Sequence, residues 1–265
     1  TITTLLSAGK LGGSTLDGSG TATYIPKFTD ADTLANSSIT DDGTKVNIAT
    51  RIETVGLGNS VFIGEDAGLN DDETDNKNVG IGTDSLKANM GGYQNTALGH
   101  SSLYTTIGNY YNTAIGAGSL YNNTANENTA IGFNSLYNNT NGQSNIGVGV
   151  QTLNNNQQGK YNIAIGNASL SRNIDGDNNL SIGRLSGGAA VGFNDAGESS
   201  IFIGNNTLAN ANAETNQIVI GHEAIGNGSN TATIGDANIT DVYFGSTGVA
   251  QINCKRILQG ENEFN

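Results

Sequence analysis

The 265-residue sequence has no tryptophan, one proline (Pro26), one cysteine (Cys254), one methionine and two histidines. A lone cysteine excludes an internal disulfide framework. Scarce proline, with no strict triplet, excludes collagen even though glycine occurs 38 times. Only 11 residues are Lys or Arg against 24 Asp or Glu, giving a net charge of −13 and a pI near 4.3. Such a chain cannot supply the clustered cations that neutralise nucleic-acid phosphates or grip an anionic membrane, so neither is an expected partner. No apolar run reaches the ~18 residues of a membrane-spanning helix, and the opening TITTLLSAGK lacks the charged-then-apolar order of a signal peptide. With no methionine at position 1, the sequence reads as a processed product or a portion of a longer protein. Charge at 13% and apolar content at 35% fit neither disorder nor a thick conventional core.

What the sequence does have is a repeat, and a repeat decides architecture before any other signal. Aligning on a glycine preceded by an aliphatic residue gives Gly64, Gly82, Gly99, Gly116, Gly132, Gly149, Gly166, Gly183, Gly204, Gly221 and Gly235, at intervals of 18, 17, 17, 16, 17, 17, 17, 21, 17 and 14 residues. The clearest copies read NTALGHSSLY (95–104), NTAIGAGSLY (112–121), NTAIGFNSLY (128–137) and NIAIGNASLS (162–171). A unit of about 17 residues is too short for a helix pair or a propeller blade and fits one coil of a β-solenoid. The expected fold is therefore all-β: a β-solenoid, or β-roll, of about eleven short coils over residues 56–236. A β-rich connector over 1–55 precedes it and a β segment over 237–265 follows. At a strand spacing of about 4.8 Å, the coils would make a rod roughly 50 Å long.

Each repeat position takes a physical role. The aliphatic residue before the glycine (Ile63, Ile81, Leu98, Ile115, Ile131, Val148, Ile165, Ile182, Ile203, Ile220, Ile234) is expected to face inward. The same is expected four residues after it (Leu86, Leu103, Leu120, Leu136, Leu153, Leu170, Leu208, Ile225), with Gly68 and Gly187 as interruptions. The small residue two before the glycine (Gly80, Ala97, Ala114, Ala130, Gly147, Ala164, Ser181) then points to the opposite face, where it permits close approach of a neighbour. Asn78, Asn95, Asn112, Asn128, Asn145, Asn162 and Asn179, four before the glycine, should stack into an asparagine ladder. The glycine should turn the chain between two short strands in a conformation closed to other residues. Two aliphatic residues per coil bury little, and backbone ordering opposes folding, so association into a parallel homotrimer through the small-residue face is expected.

At these residues the sequence resembles the head repeats of trimeric autotransporter adhesins, with their Asn-x-x-Ala-Ile-Gly-like pattern, and related repeats of phage tail fibres. The resemblance spans about residues 56–236; the intervals here are longer, with Tyr-Asn-Asn-Thr segments extending the loops. Residues 18–48 resemble connectors that precede such repeats in tail-fibre-like proteins, with Asp42-Gly43 as a hairpin turn. Residues 239–258 read as two strands around a glycine-containing turn. The resemblance implies a structural fibre segment on a virion surface, supporting host attachment, with itself, other fibre or tail proteins and a cell-surface glycan or receptor as partners. The alternative it implies is an adhesin head on a bacterial cell surface, binding glycan or host protein. Similar fibres continue into a self-cleaving intramolecular chaperone, which would place Asn265 at or near a cleavage boundary.

Chemistry has little to work with. His100 and His222 each follow a repeat glycine, which leaves almost no raw material for a nucleophilic triad. No catalytic residue, metal or cofactor is assigned, and the chain is not expected to be an enzyme. Glu65, Asp66, Asp71, Asp72, Glu73 and Asp75 form an acidic stretch with calcium-like or glycosidase-like donors, read as a solvated loop. Seven tyrosines lie between residues 93 and 161 in a nearly uncharged region. Tyr104, Tyr121 and Tyr137 share one repeat position and should stack; they are the candidate glycan-binding residues, against the plainer role of packing neighbouring coils.

Overall fold

The computed structural model describes residues 23–28, 34–41, 46–48, 59–72, 74–189, 197–239, 257–259 and 262–264. The chain divides into two compact units, Thr1–Val55 and Gly56–Asn265. In the first, β1 (Thr23–Phe28), β2 (Leu34–Asp41) and β3 (Val46–Ile48) form an antiparallel sheet in the order β1-β2-β3. Its register shifts between Tyr24 and Pro26, where proline removes an N–H donor from the ladder. Asp41 pairs with Val46, while the expected Asp42-Gly43 turn lies outside the described residues. The expected cleavage boundary at Asn265 also lies outside them, as does most of the expected strand pair over 239–258.

In the second unit the repeat produces β4 (Val61–Ile63), β5 (Val79–Ile81), β6 (Thr96–Leu98), β7 (Thr113–Ile115), β8 (Thr129–Ile131), β9 (Ile146–Val148), β10 (Ile163–Ile165), β11 (Leu180–Ile182), β12 (Gly188–Ala189), β13 (Ile201–Ile203), β14 (Leu208–Ala209), β15 (Ile218–Ile220) and β16 (Ala232–Ile234). Eleven of these, all but β12 and β14, make one parallel sheet in chain order: a β-solenoid of about ten turns, with no helix among the described residues. Register is strict, so that Ala97 lies opposite Ala114, Ala114 opposite Ala130 and Ala130 opposite Gly147. β12 and β14 form a small separate parallel pair, and β17 (Ile257–Gln259) and β18 (Asn262–Phe264) pair antiparallel.

The repeat glycine ends each three-residue strand. From Gly64 to Gly221 its φ lies between +125° and +142°, a region that residues with a Cβ rarely enter. A Cβ on Gly132 would sit 2.3 Å from the carbonyl oxygen of Gly149 in the next turn, so the glycines stack directly on one another. A second strand does not generally follow. The chain instead turns through left-handed residues, including Leu86, Leu103, Leu120, Leu136, Leu153 and Leu170 at φ 46–52°. Each of these leucines donates its N–H to a carbonyl of the next turn, as Leu120 does to Ser135 at 3.0 Å. A left-handed leucine costs about 1 kcal/mol or more. Its full burial contributes about 1.5–3 kcal/mol in return.

Two expectations about facing are reversed. The aliphatic residue before the glycine points outward: Ile63 is 57% exposed and Ile165 40%. The small residue two before the glycine points inward, with Ala97, Ala114, Ala130 and Ala164 fully buried. The reason is parity. Successive strand residues alternate faces, so the small residue shares a face with the asparagine two positions earlier. That asparagine must be inside, because its amide works only within the stack. Asn95 N–H donates to Asn78 Oδ1 at 2.9 Å and Asn112 N–H to Asn95 Oδ1 at 3.0 Å, and the pattern repeats through Asn179 to Ser200. Each Nδ2 donates in turn to a carbonyl of its own or the adjoining loop, such as Gly159 O from Asn145 at 2.8 Å.

A second buried ladder, seven residues after the glycine, escaped the sequence reading. Asn139 Nδ2 donates to Asn123 Oδ1 at 2.8 Å, Asn156 to Asn139 at 2.7 Å and Asn173 to Asn156 at 2.8 Å. The interior thus consists of one leucine, one small residue, a serine or threonine and two asparagines per turn. A core largely of hydrogen-bonded amides explains how a chain with so few apolar residues folds, since buried polar groups are tolerated where they are paired, as most of these are.

Candidate functional site

Tyr104, Tyr121 and Tyr137 stack as their shared position predicts. Ring centroids are 4.8 and 4.9 Å apart, with interplanar angles of 3° and 9°. Lys87 Nζ lies 6.0 Å from the Tyr104 centroid, at the outer limit of a cation–π contact. Lys87 also bridges Asp66 at 2.9 Å and Asp84 at 2.8 Å, and these two carboxylates raise its pKa. Burial, followed by the neighbouring phenols, raises the Tyr121 hydroxyl above its ordinary pKa of 10.0. The faces of Tyr121 are covered by its two neighbours, so the column clamps three turns together and offers a ligand mainly ring edges and hydroxyls.

A second aromatic group has a different geometry. Tyr93 and Tyr110 stack at 4.9 Å and 15°, while Tyr111 meets both edge-on, at 5.7 Å and 81° and at 5.1 Å and 84°. Tyr93 and Tyr110 occupy one position of adjacent turns and pair through their backbones, as do Met90 and Ile107. The sequence reading counted these tyrosines but did not group them; the signal was the paired spacing of 17 residues in both Tyr93/Tyr110 and Met90/Ile107.

The acidic stretch is held by its own hydrogen bonds. Asp72 accepts from Thr74 Oγ1 at 2.8 Å and from Asn76 Nδ2 at 2.8 Å, which lowers its pKa, with Thr74 the larger cause. Asp75 accepts from Asn59 at 2.8 Å and lies 3.1 Å from Lys77, which lower it in that order. Both shifts run away from the raised value a general acid needs. Asp71 stands at the second-ladder position of its turn, where its Oδ1 accepts from Asn89 Nδ2 at 3.2 Å, ending the ladder on an acceptor. Asn76 Nδ2 sits between Asp71 and Asp72, donating to both.

The histidines are far apart in the stack. His100 Nε2 is 3.5 Å from Ser101 Oγ, and His222 Nδ1 is 3.3 Å from the Asn205 carbonyl oxygen. Among the described residues no group of three or more His, Cys, Asp or Glu is placed to hold a metal ion, and no helix is long and apolar enough to cross a membrane. Cys254 lies outside the described residues.

A further surface feature is the outer face of the eleven-stranded sheet. Each strand presents two side chains there, among them Ile146, Val148, Ile163, Ile165, Leu180, Ile182, Ile218 and Ile220, and none of the 22 positions carries a charge. Ten of these aliphatic side chains are at least a third exposed. Comparison with known proteins adds no relative: no family model, no curated protein and no solved structure matches the chain.

Proposed function

We propose that the chain is a structural fibre segment of a phage tail fibre or similar virion appendage, assembled as a parallel homotrimer and supporting attachment to a host surface. The observation that carries this reading is the uncharged aliphatic face running over all eleven strands. Apolar patches on monomeric proteins rarely exceed a few hundred Å². Ten aliphatic side chains at least a third exposed and eight partly exposed ones amount to on the order of 1,000 Å², above the ~800 Å² per partner of a standard interface. A face of this kind is covered in a working protein, and further copies of the same chain offer matching aliphatic faces with matching strand spacing. The number three follows from the likeness of the repeat to trimeric fibres and adhesins. No catalytic role is proposed.

The exposed tyrosines favour a second reading, in which the chain is the head of a bacterial surface adhesin that binds glycan or host protein. Location separates the two. An antibody against the folded chain, used in electron microscopy on purified particles and on bacterial envelopes, should label tail appendages. Label confined to the cell envelope would transfer the proposal to the adhesin reading, and label on neither would refute both.

A further inference from the structure

The turns around Gly82 and Gly99 carry an exposed aromatic and aliphatic patch that the fold itself does not require. Met90 is 56% exposed, Ile107 61%, Tyr111 51% and Tyr93 37%. The positions of Tyr93 and Tyr110 are filled in later turns by Asn126, Gln143 and Lys160, and the position of Tyr111 by Glu127, Ser144 and a tyrosine without neighbouring rings, Tyr161. Ser144 has φ 57° against 59° for Tyr111, so the backbone there is indifferent to the ring. Met90 and Ile107 likewise give way to Thr124 and Thr140. Packing therefore does not account for five large side chains gathered at one place, four of them exposed.

The geometry points to the ligand. Tyr111 stands perpendicular to the stacked Tyr93–Tyr110 pair and keeps about half of its surface open to solvent. Exposed aromatic surface near aliphatic side chains suits the C–H face of a sugar ring, and the phenol hydroxyls suit its O–H groups. Gly108 has no atom within 4 Å of where its Cβ would be, so bare backbone is open to a ligand at the edge of the patch. From residue 88 to residue 126 there is no Asp, Glu, Lys or Arg, in a chain whose net charge is −13. The adjoining turns place Asp72 beside Gly91 and Glu127 against the backbone of Tyr110, so the carboxylates that flank the patch disfavour an anionic ligand and leave a neutral one unaffected.

We propose that Tyr111, with Tyr93, Tyr110, Met90 and Ile107, forms a binding site for a neutral saccharide, one sugar ring lying against the exposed Tyr111 ring. The site rests on the attachment part of the function proposed above and not on the trimer. The Tyr104–Tyr121–Tyr137 column, its inner faces already stacked, acts as a spacer.

The test places the folded full-length chain on an array of neutral gluco-, galacto- and manno-oligosaccharides beside sialylated and uronate-containing ones, then titrates the strongest neutral binder by calorimetry. Neutral sugars should bind. Tyr111→Ser, which installs the residue that a later turn carries in the same conformation, should weaken binding about tenfold, the size of one lost ring-stacking contact. Tyr111→Phe should stay within about twofold, and Tyr137→Phe should change nothing. Binding of acidic glycans alone, no glycan binding, or undiminished binding in Tyr111→Ser would each overturn the site. Cell adherence that survives Tyr111→Ser would overturn the site and leave attachment standing; a folded chain that adheres to no cell or glycan would overturn both.

Discussion

The middle turns and the end turns of the solenoid fill the same interior by opposite means. From Gly82 to Gly166 the leucine after the glycine lies inside and the strand centre is Gly or Ala. In the first turn the strand centre is Phe62 and the leucine position is Gly68; a Cβ on Gly68 would lie 2.6 Å from the Phe62 ring, which occupies the missing side chain's space. Around Gly204 and Gly221 the strand centres are the buried Phe202 and Val219, while Leu208 and Ile225 have moved towards the surface. Between them, Ser181 and Gly187 are both small, and Leu170 from the preceding turn reaches into the gap. The interior has room for one large apolar side chain per turn, and which position supplies it is free to change.

The largest contrast should come from the glycine column. Gly132→Ala meets the backbone of Gly149 at 2.3 Å from a φ of +133°, whereas Gly235, at the end of the sheet with φ +85°, would meet only the Ile239 side chain. Gly132→Ala should cost more than about 4 kcal/mol or prevent folding. Gly235→Ala should cost about 1–2 kcal/mol. Denaturant melts of the two variants measure the difference, and equal losses would mean that the glycines do not stack as described.

The exchange of volume can be tested by moving the first turn's solution into the middle. Ala130→Phe overfills a closed interior and Leu136→Gly empties it, each at about 2–5 kcal/mol. Together they recreate the Phe62/Gly68 arrangement, so the double variant should recover at least about 1 kcal/mol relative to the sum of the singles. Strict additivity in a double-mutant cycle would break the comparison.

The second asparagine ladder has a gap where Thr106 replaces asparagine. Both Thr106 Oγ1 and Asn89 Oδ1 are buried without a hydrogen-bond partner. Thr106→Asn should complete the ladder and stabilise the fold by about 1 kcal/mol, seen as a rise of a few degrees in Tm. The acidic loop at Asp72 and Asp75 should respond most weakly, and only to acid. The pKa values of Asp72 and Asp75 are depressed in the folded chain, so their contribution is complete above the ordinary value of 3.8 and is lost as pH falls below it. Amide exchange at Thr74 and Asn76, whose groups bond Asp72, should speed up below that pH while exchange at Asn145 and Asn162 does not.

Much of this was legible in the residues. The eleven-glycine register, the ladder through Asn95, Asn112 and Asn128, and the stacking of Tyr104, Tyr121 and Tyr137 all follow from spacing, because identical residues at identical intervals must superpose in a stack. The facing of the strands was misread because aliphatic side chains were taken to be inside. Exposed apolar residues are common, and the buried asparagine two places before Ala97 was the stronger signal. The second ladder was hidden by Thr106 and by loops of unequal length. The left-handed leucines carry no sequence mark at all, since their conformation is imposed by hydrogen bonds from the neighbouring turn.

The central claim is that the outer sheet face belongs to an interface between copies of the chain. Native mass spectrometry of the folded protein tests it most directly, using Ile131→Glu with Ile165→Glu as the variant that places charge in the middle of the face. The wild-type chain should appear at three times its 27.2 kDa mass and the variant at a single chain mass with its strands intact. A wild-type chain that remains at 27.2 kDa at micromolar concentration would contradict the account.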